Sequence, residues 1–367
     1  MAISAPSTIL LFGVLYLYVY WRLRPCFNGI ARLVFSSIYF ISAAWFIYVP
    51  IAIGHFWMDA GARSSEIMFA LSISEFVIVG MMAAAIVALD ILKICFGLWD
   101  RFAGTRTEAI FTARRVGTFS SIAVSLCLIY GLYEAWNIRT VKFVIPTTKL
   151  PAGVDRLRVV HVTDVHIGGL FYTRHLARIM KIARDAEPDI FVVTGDLVDG
   201  NMEYRSRESE LLAGHGARYG AFAVTGNHEY YYDIAEAVEF IGRSGLTLLD
   251  DEMAEAGGIA VVGLDDKTEE WPKELSVPSD RFVLLLKHHP QVPGDSLGRF
   301  DLQLAGHTHG GQIWVFNHSM HRLYEFNQGL SKYGKSDVYV SNGAGFWGPP
   351  LRILAPPEVT VFDLVRQ

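Results

Sequence analysis

The feature that most constrains this chain is a change of hydropathy near residue 137. Four apolar stretches precede it, Ile3–Trp21, Leu33–Ile53, Ile67–Leu89 and Val116–Trp136, each long enough to cross about 30 Å of hydrocarbon as a helix. Lipid offers the backbone no hydrogen-bond partners, so such runs must satisfy themselves as helices. Tyr16, Tyr18, Tyr20, Trp21, Trp45, Tyr48, Trp57 and Trp136 gather toward the ends of the stretches, where amphipathic rings prefer the headgroup zone. Glu75 lies in the middle of the third stretch and reads either as a functional carboxylate or as one protonated or paired within the bundle, and Glu134 sits near the end of the fourth. The pattern predicts a transmembrane region of four helices over residues 1–137, a linker over 138–155 marked by Pro146, Pro151 and Gly153, and a second domain over 156–367.

Loop charges give an orientation. Arg22, Arg24 and Arg32 lie between the first two stretches, and Lys93, Arg101, Arg106, Arg114 and Arg115 between the last two. Positively charged loops stay in the cytoplasm. An even number of spans then places the second domain outside it, as in a protein of a bacterial inner membrane.

The chain carries 32 basic and 37 acidic residues; nine and seven of these fall at or before Asn137, so the remainder holds 23 and 30. An acidic domain lacks the basic face that nucleic acid requires, and no nucleic-acid partner is expected. Cys26, Cys95 and Cys127 all lie in the apolar half, which excludes a disulfide framework or a thiolate metal site from the second domain.

From Arg156 the texture alternates. Leu157–Val162, Ile190–Val193, Ala221–Val224, Ile259–Leu264, Phe282–Leu286 and Leu302–Leu304 are short apolar runs of buried-strand type. Arg174–Ala186 reads as an amphipathic helix stopped by Pro188. Each strand run is followed by polar residues, which is where an α/β protein assembles its site. The blocks are Asp164-Val165-His166, Gly195-Asp196-Leu197-Val198-Asp199-Gly200, Gly226-Asn227-His228-Glu229, His288-His289 and Gly306-His307-Thr308-His309. Seven side chains of metal-ligand type thus reach one rim: Asp164, His166, Asp196, Asn227, His288, His307 and His309. A carboxylate such as Asp196 has two oxygens and can bridge two cations, and an asparagine carbonyl adds a ligand without adding charge. Mixed oxygen and imidazole donors suit manganese, iron or zinc, with manganese favoured here, and serve calcium or magnesium less well. Two such ions about 3.5–4 Å apart clamp both oxygens of an in-line displacement at phosphorus and activate water near neutral pH.

The five blocks, in this order, resemble the calcineurin-like metallophosphoesterase superfamily over roughly Arg156 to Phe362. The tail Ser341–Glu358 (SNGAGFWGPPLRILAPPE) is similar to its membrane-associated branch of YkuE-like proteins and transmembrane proteins with a metallophosphoesterase domain. The resemblance implies an α/β domain built as a four-layer α/β/β/α sandwich, and a metal-dependent phosphoric ester or pyrophosphate hydrolase. It implies two divalent metals, the first held by Asp164, His166, Asp196 and His309, the second by Asp196, Asn227, His288 and His307. His228 would stay off the metals and give a proton to the leaving oxygen, oriented by Asp199. His289 is left without a role, and Glu229 stands where relatives carry aspartate.

Other residues have plainer readings. His161 reads as a core histidine, and His175, His215, His318 and His321 as solvated. Asp265 and Asp266 fit a turn, Arg352 a surface salt bridge, and Tyr230, Tyr231 and Tyr232 either a substrate mouth or helix packing. The tether suggests a phosphorylated, lipid-linked substrate and contact with membrane lipids. The alternatives are a metal-dependent nuclease, against which the acidic domain and the tether count, and a transporter or sensor carrying an accessory phosphoesterase domain.

Overall fold

The computed structural model describes residues 5–56, 63–168, 172–231 and 233–367. The chain divides into two units, Met1–Tyr130 and Gly131–Gln367. The first contains helices α1 (Ala5–Leu23), α2 (Gly29–Phe56) and α3 (Arg63–Ala103), and most of α4 (Ala113–Trp136). These four helices cover the described parts of the four apolar stretches. Among the described residues, however, only Leu71–Ala103 and Ala113–Trp136 are long and apolar enough to cross a membrane, with mean hydropathies of 2.3 and 1.6. Four spans therefore reduces to four helices with two that meet the criterion. Helix α3 also runs past the expected end at Leu89. No proline interrupts Asp90–Phe102, and the helix stops only at Gly104, whose positive φ and amide bond to Asp100 O form a left-handed cap. Phe12, Tyr16, Val19, Val79, Ala83 and Ile86 form the buried seam of this unit. The Tyr16 hydroxyl donates to Glu75 at 2.6 Å, so this carboxylate in an apolar helix is paired between helices.

The second unit holds two six-stranded mixed sheets. Its elements are β1 (Arg139–Thr147), β2 (Arg156–Val162), α5 (Tyr172–Asp185), β3 (Ile190–Thr194), α6 (Ser206–Ala213), β4 (Ala221–Val224), α7 (Asn227–Tyr231), α8 (Ile234–Arg243), β5 (Thr247–Leu248), β6 (Glu252–Ala256), β7 (Ile259–Gly263), β8 (Val283–Leu286), β9 (Leu302–Ala305), α9 (Trp314–Leu323), β10 (Gly329–Tyr333), β11 (Ser336–Val340) and β12 (Glu358–Arg366). All six apolar runs are strands, and the helix expected at Arg174–Ala186 is α5. The first sheet has the order β1-β12-β2-β3-β4-β5 and the second β10-β11-β9-β8-β7-β6. Within them β2, β3, β4 and β5 run parallel, as do β7, β8, β9 and β11.

Part of the expected linker is structural: β1 pairs in parallel with β12 from Arg139↔Glu358 to Thr147↔Arg366. Its alternating exposed and buried residues suit an edge strand, which also tolerates Pro146. The two sheets face each other across a shared core that includes Val159, Val192, Val224, Val261, Leu284, Leu304 and Phe362. The outer face of the first sheet is covered by α5, α6 and α8 through Leu176, Ile179, Met180, Leu212, Phe240 and Ile241. The outer face of the second is covered, among the described residues, by side chains of connecting segments such as Trp271, Leu275, Val292 and Phe300. Three layers are thus regular and the fourth is largely loop. The connections from Trp271 to Phe300 hold prolines at 272, 278, 290 and 293, which disfavour a helix there.

Candidate metal centre

Parallel strands deliver their carboxyl ends to one edge, and each polar block occupies the turn that follows. The turns are tight enough to drive ligand-type residues into the left-handed region: φ is 53° at Asp164, 53° at His166, 48° at Asp196, 71° at His307 and 52° at His309. Non-glycine residues rarely adopt such angles, and they collect where the surrounding structure holds a functional geometry. Gly226 shows how closely the turns approach, since a Cβ there would collide with Asp196 Oδ1.

Three groups of candidate ligands result, each with ligand atoms within 4.8 Å of one another: Asp164 with His166 and His309, His166 with Asp196 and His228, and Asp196 with His288 and His307. His309 Nε2 lies 3.0 Å from His166 Nε2 and 3.3 Å from Asp164 Oδ1. His288 Nε2 lies 3.2 Å from Asp196 Oδ2 and 3.2 Å from His307 Nδ1. Asn227 Oδ1 and His166 Nδ1 are buried without a hydrogen-bond partner. Converging imidazole nitrogens and acidic oxygens form a donor set that divalent cations satisfy, and the unpartnered Asn227 carbonyl is a further oxygen of ligand type, so the residues fit a two-metal centre.

The electrostatics favour the ligating forms at several positions. Burial lowers His307 to about 2, helped by charge on His288, and lowers His309 well below the usual histidine range, so both offer neutral nitrogens. Burial alone would raise Asp196, but His288 and His166 hold it well below the ordinary carboxylate range. His288 is opposed by burial and pushed up to about 10 by Asp196 and Asp164. Burial lifts Asp164 above the usual value. His228 Nδ1 lies 3.1 Å from Asp199 Oδ1, while its Nε2 is 3.9 Å from Asp196 Oδ2. Burial works against the charge on His228, but the Asp199 hydrogen bond and the Asp196 charge prevail and raise it. Burial likewise opposes Asp199, which His166, its Nδ1 3.6 Å from Asp199 Oδ2, and the bond with His228 lower to about 2.

The residues behind these groups were less readable. Glu229 is fully buried and accepts four backbone N–H bonds, from Asp196, Leu197, Val198 and Gly226, tying two ligand turns together. Burial and the Asp196 charge push its carboxyl up to about 7 while the N–H donors pull it down. Tyr324 OH meets His307 Nε2 at 2.8 Å, a contact no motif announces. His289 packs against His307 with ring centroids 4.0 Å apart and planes tilted by 37°, and bonds Asp266 Oδ1 at 2.6 Å, which puts Asp266 one contact behind the site. Asp265 accepts from Thr225 and Tyr230, so Tyr230 packs rather than lines the mouth. Tyr231 is exposed beside His228, and Tyr232 lies outside the described residues.

His161 is a core histidine bonded to Thr194 at 2.7 Å, and His318 and His321 are exposed. Two expectations fail. His175 is wholly buried with Nε2 2.9 Å from Ala344 O, because the amphipathic face of α5 turns it inward. Arg352 is wholly buried too, and its partners are backbone carbonyls and His309.

Comparison with known proteins agrees with this site. A profile described as calcineurin-like phosphoesterase matches residues 157–311. An uncharacterized metallophosphoesterase of Aquifex aeolicus is 33% identical over 64% of this chain and 95% of its own length. The uncharacterized metallophosphoesterase YkuE of Bacillus subtilis is 30% identical over 68% of this chain and 95% of its own. A transmembrane protein with metallophosphoesterase domain from Danio rerio is 28% identical over 70% of this chain and 65% of its own. With five ordered motif blocks folded into one cluster of ligand-type side chains, the chain belongs to the calcineurin-like metallophosphoesterase family, metal-dependent phosphoester hydrolases with a dinuclear centre.

Proposed function

We propose that this protein is a membrane-anchored phosphoesterase that hydrolyses a phosphate ester or pyrophosphate on a lipid-linked substrate. Asp164, His166, Asp196 and His309 would hold the first metal and Asp196, Asn227, His288 and His307 the second, with manganese favoured over iron or zinc. Bound there, the pair supplies positive charge to phosphate oxygens and an activated water. The single observation that carries the reading is the convergence of the histidine and aspartate donors in adjoining groups that share His166 and Asp196.

The chain's own residues do the rest. Asp199 occupies His228 Nδ1, so the opposite nitrogen, Nε2, faces the ligand cluster. Its raised proton affinity favours the charged form of His228, which can give a proton to a leaving oxygen. Tyr231, 62% exposed, and Trp347, 38% exposed, flank the same ring at centroid distances of 4.7 and 6.0 Å. That aromatic rim supports an apolar group next to the phosphate. Two helices of spanning length, and a relative named as transmembrane, support the anchor. The basic loops support an extracytoplasmic catalytic domain at a bacterial inner membrane.

The test is hydrolysis by the full-length protein in detergent, loaded with manganese, over a panel of lipid phosphates, lipid pyrophosphates, nucleotides and chromogenic diesters. Asp196→Ala and His309→Ala are expected to abolish turnover; activity unchanged by both would overturn the assignment. A reporter fused after Gln367 tests the orientation, and reporter activity in the cytoplasm would reverse it.

A further inference from the structure

Arg352 lies in the loop between β11 and β12 and is 0% exposed. Its Nε donates to Gly345 O at 2.8 Å, and Nη2 to the same oxygen at 2.6 Å. Nη1 donates to Asn342 O at 2.8 Å, Ala355 O at 2.9 Å and His309 O at 3.3 Å. No ion pair joins it to a carboxylate among the described residues. Burying a guanidinium without an anion in contact is costly, and an apolar residue would pack there at lower cost. One acceptor is not a carbonyl: Nη2 lies 3.2 Å from His309 Nδ1. Arginine has no lone pair to offer, so the direction of this bond is fixed and Nδ1 must accept.

We propose that Arg352 is a positioning residue for the first metal site, its guanidinium fork fixing the plane of the His309 ring and binding the His309 turn to the loop of Asn342, Gly345 and Ala355. The inference rests on His309 being a ligand. With Nδ1 held from behind, Nε2 is left facing Asp164 Oδ1 and His166 Nε2. The second site is braced differently, since His288 Nδ1 meets a backbone carbonyl, Thr194 O, at 2.9 Å. Histidine ligands usually lean on such an acceptor, which raises their basicity. A cation behind His309 withdraws electron density instead, so the two sites are unlike. The loop is shaped around the guanidinium: Gly343 has φ +80°, and a Cβ there would lie 2.8 Å from Asp164 Cβ and 3.3 Å from Arg352 Nη2.

Arg352→Lys tests this, because it keeps the charge and removes the fork. The readouts are metal stoichiometry and manganese paramagnetic resonance of the full-length protein. Wild type is expected to hold two ions per chain with an exchange-coupled signal. The variant is expected to lose first-site affinity by about 10- to 100-fold, giving one ion and the signal of isolated manganese. Adding His309→Gln should then lower affinity no further than His309→Gln alone, as for two residues acting through one contact. Two ions bound at unchanged affinity in Arg352→Lys would overturn the inference. So would equal loss of both ions with loss of near-ultraviolet dichroism, which marks a role in folding alone. If His309→Gln by itself still binds two ions, the ligand reading fails and the inference falls with it, a result separable from the other two.

Discussion

Glu229→Gln is the sharpest test of how the site is held. In the wild type Oε1 accepts from Leu197 N at 2.8 Å and Val198 N at 3.1 Å, and Oε2 from Asp196 N at 3.0 Å and Gly226 N at 2.6 Å. Glutamine is nearly isosteric but has one carbonyl oxygen and one NH2. It keeps one pair of bonds and turns donors against the other pair. At a pH well above 7, where this carboxyl is ionised, losing two buried hydrogen bonds to a charged group, each about 1.5–3 kcal/mol, gives a loss of about 3–6 kcal/mol. Total stabilities of domains are about 5–15 kcal/mol, so this is a large fraction. For a domain of this size each kcal/mol moves Tm by about 2–4 °C, which predicts a fall of about 6–24 °C. The assay is thermal unfolding of the detergent-solubilised protein followed by near-ultraviolet dichroism, with metal removed by chelation. A midpoint within about 2 °C of wild type would refute the idea that this carboxylate clamps the two ligand turns.

Asp199→Asn should lower the proton affinity of His228. A general acid loses activity as pH rises through its pKa, so the alkaline limb of kcat against pH should move down by about 1–3 units, the span expected on losing an adjacent opposite charge. An unmoved limb would refute the pairing. Manganese must displace the proton that Asp196 and Asp164 hold on His288, so affinity should rise about tenfold per pH unit between roughly 6 and 8. Calorimetric titration at several pH values checks this, and a flat profile would refute it. Gly226→Ala should cost most of the bound metal, because its methyl group would collide with Asp196 Oδ1. Normal metal content in that variant would show that the turn can open.

The strands and the candidate ligands were legible because their signals are local. An apolar run such as Ile190–Val193 followed by Asp196 states both its burial and its position past a strand end. The pairing of Glu75 was legible for a related reason: a carboxyl in so apolar a stretch gains from a partner on a neighbouring helix. That the fourth layer is largely loop was not legible, nor was β1 in the supposed linker, because both depend on what packs against the sheets. His175 and Arg352 were misread for the same reason. A histidine or arginine in a polar stretch carries no mark of burial until a fold surrounds it.

By itself the sequence determined the apolar helical first part, the six strand runs and the ligand-type residues, since periodicity and side-chain chemistry act over a few neighbours; the structure puts the division after Tyr130 and not at residue 137. Only the tertiary structure decided that Glu229 clamps two turns, that Tyr324 reaches His307 and that Arg352 stands behind His309. Those contacts join residues between 17 and 43 positions apart, and no short-range pattern encodes which distant donor will meet which acceptor.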